Sequence, residues 1–272
     1  MKKITTILIY AFITIVLFVF VFHYIWMVLT SFKTRLDIFT VPPKFIFKPY
    51  LQNYIDVFTR GRFLRNFLNS AIVVACATFI SVAVGTPAAY SLARFELMGK
   101  KHISMWILSI RMMPPIVAVI PFFLIASKLR ILDTHGLLML VYMTFNLPFV
   151  IWILRSFFED VPIELEQAAI LDGYSRWSIF TKVALPLVKP GLVSVTILCI
   201  IFSWNEFLFA NVLTKEVAQT LPPAISVLVT TRTVQWGRVG ALATLVVLPI
   251  VIFTYFIQRH MVRGLTLGAV KG

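Results

Sequence analysis

Apolar residues along this chain gather into runs of about twenty, separated by shorter polar stretches. A helix needs roughly 20 apolar residues to cross a hydrocarbon core of about 30 Å. The pattern predicts six such spans, at residues 7–29, 67–92, 103–125, 136–154, 191–213 and 239–257. Because backbone groups in lipid must be hydrogen-bonded internally, each span is predicted to be a helix. The expected fold is therefore all-α, with residues 1–272 forming one polytopic membrane domain.

Composition agrees with a membrane protein: 60% of the residues are hydrophobic and only 13% are charged. The net charge of +14 fits a protein held against anionic lipid. Nucleic acid is not an expected partner, because no basic stripe with interleaved aromatic residues lies outside the spans. Lys and Arg divide equally between the two sides of the predicted bundle, so charge counting does not set its orientation.

One polar stretch, residues 156–190, stands between the fourth and fifth predicted spans and carries the signals of a short helical hairpin. Pro162 and the nearby Glu164 and Glu166 suit the first turn of a helix. Gly173 suits the left-handed position after its end, and Ser175 is a good cap for a second short helix. Alanines 168 and 169 offer a flat patch on the first helix.

Two interpretations of this hairpin are open from its residues alone. It is either an amphipathic linker lying in the lipid headgroup region or a docking element for another protein.

The stretch resembles the "EAA" coupling loop of the membrane subunits of binding-protein-dependent ABC importers. That motif has Glu-Ala-Ala, three residues and Gly, with a later Leu-Pro. Here Gln167, Ala168 and Ala169 are followed by Gly173 at that spacing, and Pro186 closes the Leu-Pro pair; Gln167 stands where the motif has Glu. "SWNEFLFA" at 203–210 and "GLTLGAVKG" at 264–272 resemble the maltose-type carbohydrate permeases, so the resemblance covers nearly the whole chain.

The resemblance implies a permease subunit that pairs with a second, related permease, a dimer of cytoplasmic ATPase subunits and an extracytoplasmic sugar-binding protein. It also implies a prokaryotic inner-membrane location with both termini and the coupling loop in the cytoplasm.

The resemblance also implies three groups of contact residues. The ATPase-coupling residues are Glu164, Glu166, Gln167, Ala168, Ala169, Asp172, Gly173 and Pro186. The binding-protein contacts are Leu221, Pro222 and Pro223, and the tail 258–272 meets the ATPase through Gly264, Leu265, Thr266 and Gly268.

Polar side chains inside predicted spans are candidates for the substrate path, because burying them in a membrane is costly. Arg111 and Glu206 are the charged residues well inside spans, at depths that differ by about 10 Å, which disfavours a direct ion pair unless Pro114 and Pro115 bend the third span. The candidate path comprises Arg111, Asn146, Trp204, Asn205, Glu206 and Asn211. Structural pairing with polar neighbours, or for Trp204 an interface position, is the alternative interpretation.

The sequence contains no G-x-x-x-x-G-K-[ST], H-E-x-x-H, C-x-x-C or G-x-S-x-G motif. The chain is therefore expected to carry no ATPase or other catalytic site, no metal and no cofactor, with ATP and Mg²⁺ on partner subunits. The predicted function is import of a carbohydrate, with a sugar phosphate such as a glycerol phosphate as the alternative substrate. Two different hypotheses are an ion-coupled secondary transporter, which predicts inverted repeats, and a membrane-embedded enzyme.

Overall fold

The computed structural model describes residues 2–59, 62–226, 228 and 234–266, and these parts are built from helices. In chain order the helices are α1 (Lys2–Ser31), α2 (Arg35–Ile38), α3 (Gln52–Thr59), α4 (Phe63–Arg94), α5 (Lys100–Met112), α6 (Pro115–Lys128) and α7 (His135–Glu159). They continue as α8 (Ile163–Leu171), α9 (Arg176–Ile179), a π-helical segment (Phe180–Ala184), α10 (Leu185–Leu187), α11 (Lys189–Trp204), α12 (Leu208–Leu213), α13 (Leu221–Ser226) and α14 (Trp236–Thr266).

Three helices in the described parts of the chain are by themselves long and apolar enough to cross a membrane: α1, α4 and α7. Two further spans arise if α5 with α6, and the segment Arg176–Leu187 with α11, are each counted as one bent span. The apolar part of α14, Trp236–Ile252, is shorter. The all-helical prediction is thus confirmed, whereas six spans remain a prediction.

The third and fifth predicted spans differ from continuous helices. Residues 103–125 fall into α5 and α6, whose axes meet at 91°. The break lies at Met113 and Pro114 because proline has no N–H to continue a helix, and Pro115 starts α6. Residues 191–213 are interrupted between Trp204 and Leu208, so Glu206 lies in a gap between two helices rather than within one.

The chain divides into two compact units, and the first comprises residues 1–65 and 224–251. Most of α1 is exposed, and only its last turns are covered. There α14 comes close, since a Cβ on Gly240 would lie 3.1 Å from the Met27 carbonyl oxygen. The buried Asn53 side chain donates hydrogen bonds to the Ser31 and Lys33 carbonyls, which holds α3 against the end of α1.

The second unit, residues 66–223 and 252–272, has α7 at its centre. Helix α7 buries residues at helical spacing along its length, from Leu137 to Phe158, and packs on α5, α11 and α12. Two apolar clusters result, one where α7 meets α4, α6 and α12, the other where it meets the end of α4, the π-helical segment and α11. Cys199 is buried in the second cluster, and both it and Cys76 are free thiols.

Helices α7 and α11 approach so closely that Gly191 has no room for a side chain. A Cβ there would lie 2.5–2.7 Å from the Phe157 ring, whereas nothing lies within 4 Å of one on Gly136. We expect Gly191→Ala to destabilise the folded chain by roughly 1–3 kcal/mol, the usual cost of overpacking, and Gly136→Ala not to destabilise it. Thermal unfolding of the purified protein in detergent measures both; equal melting temperatures for the two variants would contradict this packing.

Candidate functional site

The predicted hairpin in the polar stretch consists of α8 and α9 joined by a tight turn. Gly173 adopts the left-handed conformation, with φ of 83°. Its N–H bonds to the Ile170 carbonyl, and the Tyr174 N–H bonds to the Ala169 carbonyl, both at 3.0 Å. These two bonds satisfy the last carbonyls of α8 in the manner of a Schellman motif. Ser175 then caps α9 by accepting from the Ser178 N–H, so the predicted end of the first helix and start of the second are confirmed.

A buried ion pair fixes this hairpin to the end of α4. One Glu166 carboxylate oxygen accepts a hydrogen bond from Arg94 Nε at 2.6 Å, and the other accepts from the Tyr90 hydroxyl at 2.7 Å. Arg94 also donates to the Val161 carbonyl at 2.7 Å. The side chains of Arg94 and Glu166 are only 9% and 8% exposed. Since both charges are desolvated, their positions relative to each other are strongly constrained.

Aromatic packing extends this attachment into the rest of the second unit. The Tyr90 ring lies 5.3 Å from Phe158 of α7 and 5.1 Å from Phe180 of the π-helical segment, measured between centroids. Phe180 and Ala184 both point into the apolar cluster that reaches α11. The π-helical segment that follows the hairpin therefore packs on α4, α7 and α11 together.

The outward face of the hairpin is largely apolar. Leu171 is 88% exposed, Trp177 is 67% exposed and Ile170 is 59% exposed. Of the predicted coupling residues, Glu164, Gln167, Ala168, Asp172, Gly173 and Pro186 are exposed.

The predicted flat patch of paired alanines is wrong. Ala169 is buried, and so is Glu166. The two residues are three apart and therefore share one face of α8, the face turned toward Tyr90 and Arg94. Both act in positioning the hairpin, and the outward surface is made by Ala168 and its exposed neighbours.

A cavity of about 710 Å³ opens between α5, α6, α7 and α11 in the second unit. Most of its wall is apolar or aromatic, and Arg111, Asn205 and Glu206 supply polar groups. The Arg111 guanidinium lies over the rings of Phe149 and Phe202, at 5.3 and 5.0 Å. Such cation–π contacts steady the group while leaving its N–H edges available.

Glu206 lies on the wall of the same cavity but is occupied by local bonds. Its carboxylate accepts from the backbone N–H groups of Phe209 and Ala210 at 2.8 and 3.0 Å, and from the Tyr142 hydroxyl at 3.1 Å. It thus caps α12, whose first N–H groups have no intrahelical acceptor. Glu206 and Arg111 form no ion pair with each other.

Three other predicted path residues do not line this cavity. Asn146 is fully buried and donates to the Ser203 hydroxyl, joining α7 to α11. Trp204 packs edge-on against Phe67. Asn211 is exposed on α12. In the described part of the chain no three His, Cys, Asp or Glu side chains come together as a metal site requires.

A loop after α12 is held by one carboxylate. Asp133 accepts hydrogen bonds from four consecutive backbone N–H groups, those of residues 215–218, at 2.9–3.1 Å. The Asn69 amide donates to the carbonyls of Val217 and Gln219 from the other side. Partial burial opposes the charge on Asp133, but the four N–H donors outweigh it and lower the pKa of the carboxyl. Nothing in the sequence around Asp133 signals this long-range role.

The predicted binding-protein contacts begin α13 directly after this loop. Leu221 and Pro223 are buried, and Pro222 is partly exposed. The outward-facing residues nearby are Lys215, Glu216 and Val217. In the predicted tail, Gly264, Leu265 and Thr266 lie in the last turn of α14, and Gly268 lies outside the described residues.

Removal of the Glu166 charge should destabilise the hairpin strongly, because Arg94 is then left buried and unpaired. We expect Glu166→Gln to cost about 3–5 kcal/mol and to make residues 160–180 more sensitive to proteolysis. Glu164→Gln is the matched control, since Glu164 is exposed on the same helix and should change stability by less than about 0.5 kcal/mol. Equal proteolysis of the two variants would show that the ion pair does not hold the hairpin.

Stability should depend on pH through Asp133. A carboxyl whose pKa is lowered by folding stabilises the folded state above its ordinary pKa of 3.8, and this contribution is lost as pH falls through the folded value. Asp133→Asn should therefore be about 1–3 kcal/mol less stable than the native chain near neutral pH, with a difference that narrows in acid. Denaturant unfolding at several pH values measures this; Asp160→Asn, at an exposed position, is the control. If the difference in free energy of unfolding between Asp133→Asn and the native chain stays constant with pH, the ionised Asp133 carboxylate is not the stabilising species.

Comparison with known proteins places the chain in a family. Residues 81–267 match the family described as binding-protein-dependent transport system inner membrane component. A probable ABC transporter permease protein of Sinorhizobium fredii is 42% identical over 93% of this chain and 91% of its own length. The trehalose/maltose transport system permease protein of Thermococcus litoralis is 34% identical, covering 92% of this chain and 91% of that protein.

A solved structure shares the fold. A chain from the crystal structure of a bacterial ABC transporter involved in the import of the acidic polysaccharide alginate aligns with a TM-score of 0.78, over 94% of this chain and 96% of that chain, at 22% identity. With the family match over residues 81–267 and relatives similar along nearly the whole chain, this protein belongs to the inner membrane components of binding-protein-dependent transport systems.

Proposed function

We propose that this chain is the permease subunit of an ATP-driven importer for a carbohydrate. It pairs with a second, related permease, binds a dimer of cytoplasmic ATPase subunits, and receives its substrate from an extracytoplasmic binding protein. ATP and Mg²⁺ bind to the ATPase partners. The observation that carries the proposal is the hairpin of α8 and α9, which presents exposed Leu171 and Trp177 outward while a buried ion pair fixes it to α4.

Movement of the ATPases is transmitted through this attachment. A docked hairpin that moves takes the end of α4 with it, because the Glu166–Arg94 pair cannot separate without leaving a buried charge unpaired. The contact of Tyr90 with Phe158 and Phe180 carries the displacement to α7 and α11. These two helices form part of the cavity wall, so ATPase closure shifts the equilibrium between states with differently arranged cavities.

The cavity suits a carbohydrate. Aromatic rings such as Phe145 and Phe202 offer apolar faces to the C–H surfaces of a sugar, while Arg111 and Asn205 offer hydrogen-bonding groups to its hydroxyls. The Thermococcus litoralis relative, named for trehalose and maltose transport, supports the same substrate class. A sugar phosphate is the second candidate, favoured by one observation: Arg111 lies on the wall without forming an ion pair to any residue that the structure describes.

Orientation follows from the coupling role. If α8 and α9 meet the ATPases, they lie in the cytoplasm, and six spans place both termini on that same side. The loop held by Asp133 then faces the binding protein outside, and Lys215, Glu216 and Val217 are its outward-facing residues.

Co-purification with the ATPase tests the proposal. The full chain, expressed in its native membrane with an affinity tag, should bring an ATPase with it. Leu171→Glu should weaken that association at least about tenfold, because it places a charge at the most exposed apolar position of the hairpin. Gly173→Pro should also abolish it, since proline cannot adopt the φ of 83° found there. Ala169→Arg is unsuitable, because Ala169 is buried.

Leu187→Glu is the control, since it makes the same substitution at an exposed leucine on α10, outside the hairpin, and should retain the ATPase. Absence of any ATPase with the native chain would refute the importer assignment. Retention of the ATPase by both hairpin variants would refute the coupling role of α8 and α9. Uptake of a labelled disaccharide by the reconstituted complex, compared with a labelled glycerol phosphate, distinguishes the two substrate classes.

A further inference from the structure

A second cavity, of about 400 Å³, lies where the beginning of α5 meets the end of α7. Its lining residues are Lys100, Lys101, Ser104, Met105, Trp152 and Arg155. Neither the transport path nor the coupling hairpin includes any of them. The cavity surface itself is almost entirely apolar, so Lys100, Lys101 and Arg155 line it with their aliphatic parts and their charged ends lie at its margin.

Arg155 is held in place within this cavity. Its Nη1 donates to the hydroxyl of the buried Ser104 at 2.8 Å, and its Nε donates to Glu159 at 2.7 Å. Glu159 therefore balances the charge of Arg155. Lys100 and Lys101 form no hydrogen bond or ion pair through their side chains to any described residue, so the cavity keeps an excess of positive charge.

The backbone adds to this positive potential. Helix α5 begins after Gly99, which adopts the left-handed conformation and provides no side-chain cap. The Lys100 N–H donates to the Leu97 carbonyl, but no side chain caps the start of this 13-residue helix, and the helix dipole favours an anion beside it. Glu96 and His102 are the other titratable residues close in sequence, and both are exposed without lining the cavity.

Apolar surface continues from the cavity along α5. Met105 is 57% exposed and Trp106 is 67% exposed, with Trp152 of α7 at 42% beside the lysines. Tryptophan at the end of a span is typical of the membrane–water boundary. A ligand that satisfies both parts of this surface needs an anionic head and a long apolar tail.

We propose that this site binds an anionic phospholipid. An acyl chain lies in the apolar cavity along Met105 and Trp152, and the phosphate lies at its margin, at the charged ends of Lys100, Lys101 and Arg155. A soluble phosphate would leave the apolar wall exposed, and a zwitterionic lipid would bring its own cation to the two lysines. An anionic lipid matches the excess charge and the apolar face together.

The position of this site connects the lipid to the coupling hairpin. Arg155 and its partner Glu159 form the last turn of α7, and α8 begins four residues later at Ile163. A phosphate on Arg155, Lys100 and Lys101 joins α5 to the end of α7. Bound lipid therefore restrains the segment from which the coupling hairpin projects.

Quenching of tryptophan fluorescence by brominated lipid tests the site. The whole transporter, with its partner subunits, is placed in phosphatidylcholine nanodiscs containing increasing fractions of phosphatidylglycerol brominated on its acyl chains. We expect saturable quenching, because Trp152 lines the cavity. In the double variant Lys100→Gln/Lys101→Gln, half-maximal quenching should need about 30-fold more phosphatidylglycerol. Loss of each lysine near a phosphate is expected to weaken lipid binding roughly five- to sixfold.

Lys182→Gln/Lys189→Gln is the matched control, because it removes two exposed lysines of the same predicted membrane face without touching the cavity. It should bind brominated phosphatidylglycerol as the native chain does. Equal weakening by both lysine pairs would show general surface attraction and overturn the site. Equal quenching by brominated phosphatidylcholine would also overturn the site. Absence of quenching in the assembled transporter would overturn it as well, because a partner subunit would then cover the cavity. The fluorescence readout does not use ATPase co-purification. A failure of the lipid-site proposal is therefore distinguishable from a failure of the importer assignment.

Discussion

The buried pair of Glu166 and Arg94 is the interaction on which the position of the hairpin, and so its proposed coupling role, depends. A charge taken out of water is tolerated only beside a well-placed partner, and here the carboxylate has both Arg94 and the Tyr90 hydroxyl within hydrogen-bonding distance. This demand makes α8 part of the same rigid assembly as the end of α4. The buried ion pair thus fixes the orientation of the hairpin from the face of α8 opposite to the exposed Leu171.

The same requirement governs the breaks in the membrane segments. Wherever a helix is interrupted in lipid, its free backbone groups need acceptors and donors from elsewhere. At the break before α12, Glu206 supplies the acceptor for two N–H groups. Outside the spans, the turn after α8 meets the same demand, because the N–H groups of Gly173 and Tyr174 donate to the last carbonyls of α8. The irregular segments are thus shaped by hydrogen-bond satisfaction, and they lie beside the cavity and in the hairpin of α8 and α9.

Much of this architecture is predictable from sequence, because the relevant signals are local. Apolar run length indicates the long helices, and the capping residues indicate α8 and α9 with the turn at Gly173. The residue types at 166 and 169 suggest an outward role, and only the packing against α4 reveals that they face inward. Asp133 is a similar case: its four N–H donors come from residues 215–218, far away along the chain. Interactions between segments that are distant along the chain leave no local pattern in the sequence. The position of Glu206 between two helices, rather than within one, could not be predicted for the same reason.

The positive charge of Arg111 affects which solutes can enter the cavity. The Glu206 carboxylate accepts hydrogen bonds from the first N–H groups of α12 and from Tyr142, whereas the Arg111 guanidinium lies over the Phe149 and Phe202 rings without an acidic partner in the described part of the chain. A fixed positive group in a poorly solvated passage raises the energy of any small cation that enters, as arginines do in water-conducting pores that reject protons. A transporter that repeatedly opens a path for a polar solute has to preserve the ion gradients across its membrane. In the proposed transport path, the Arg111 guanidinium over two aromatic rings is therefore expected to oppose the passage of sodium ions and protons even when the path is not completely closed.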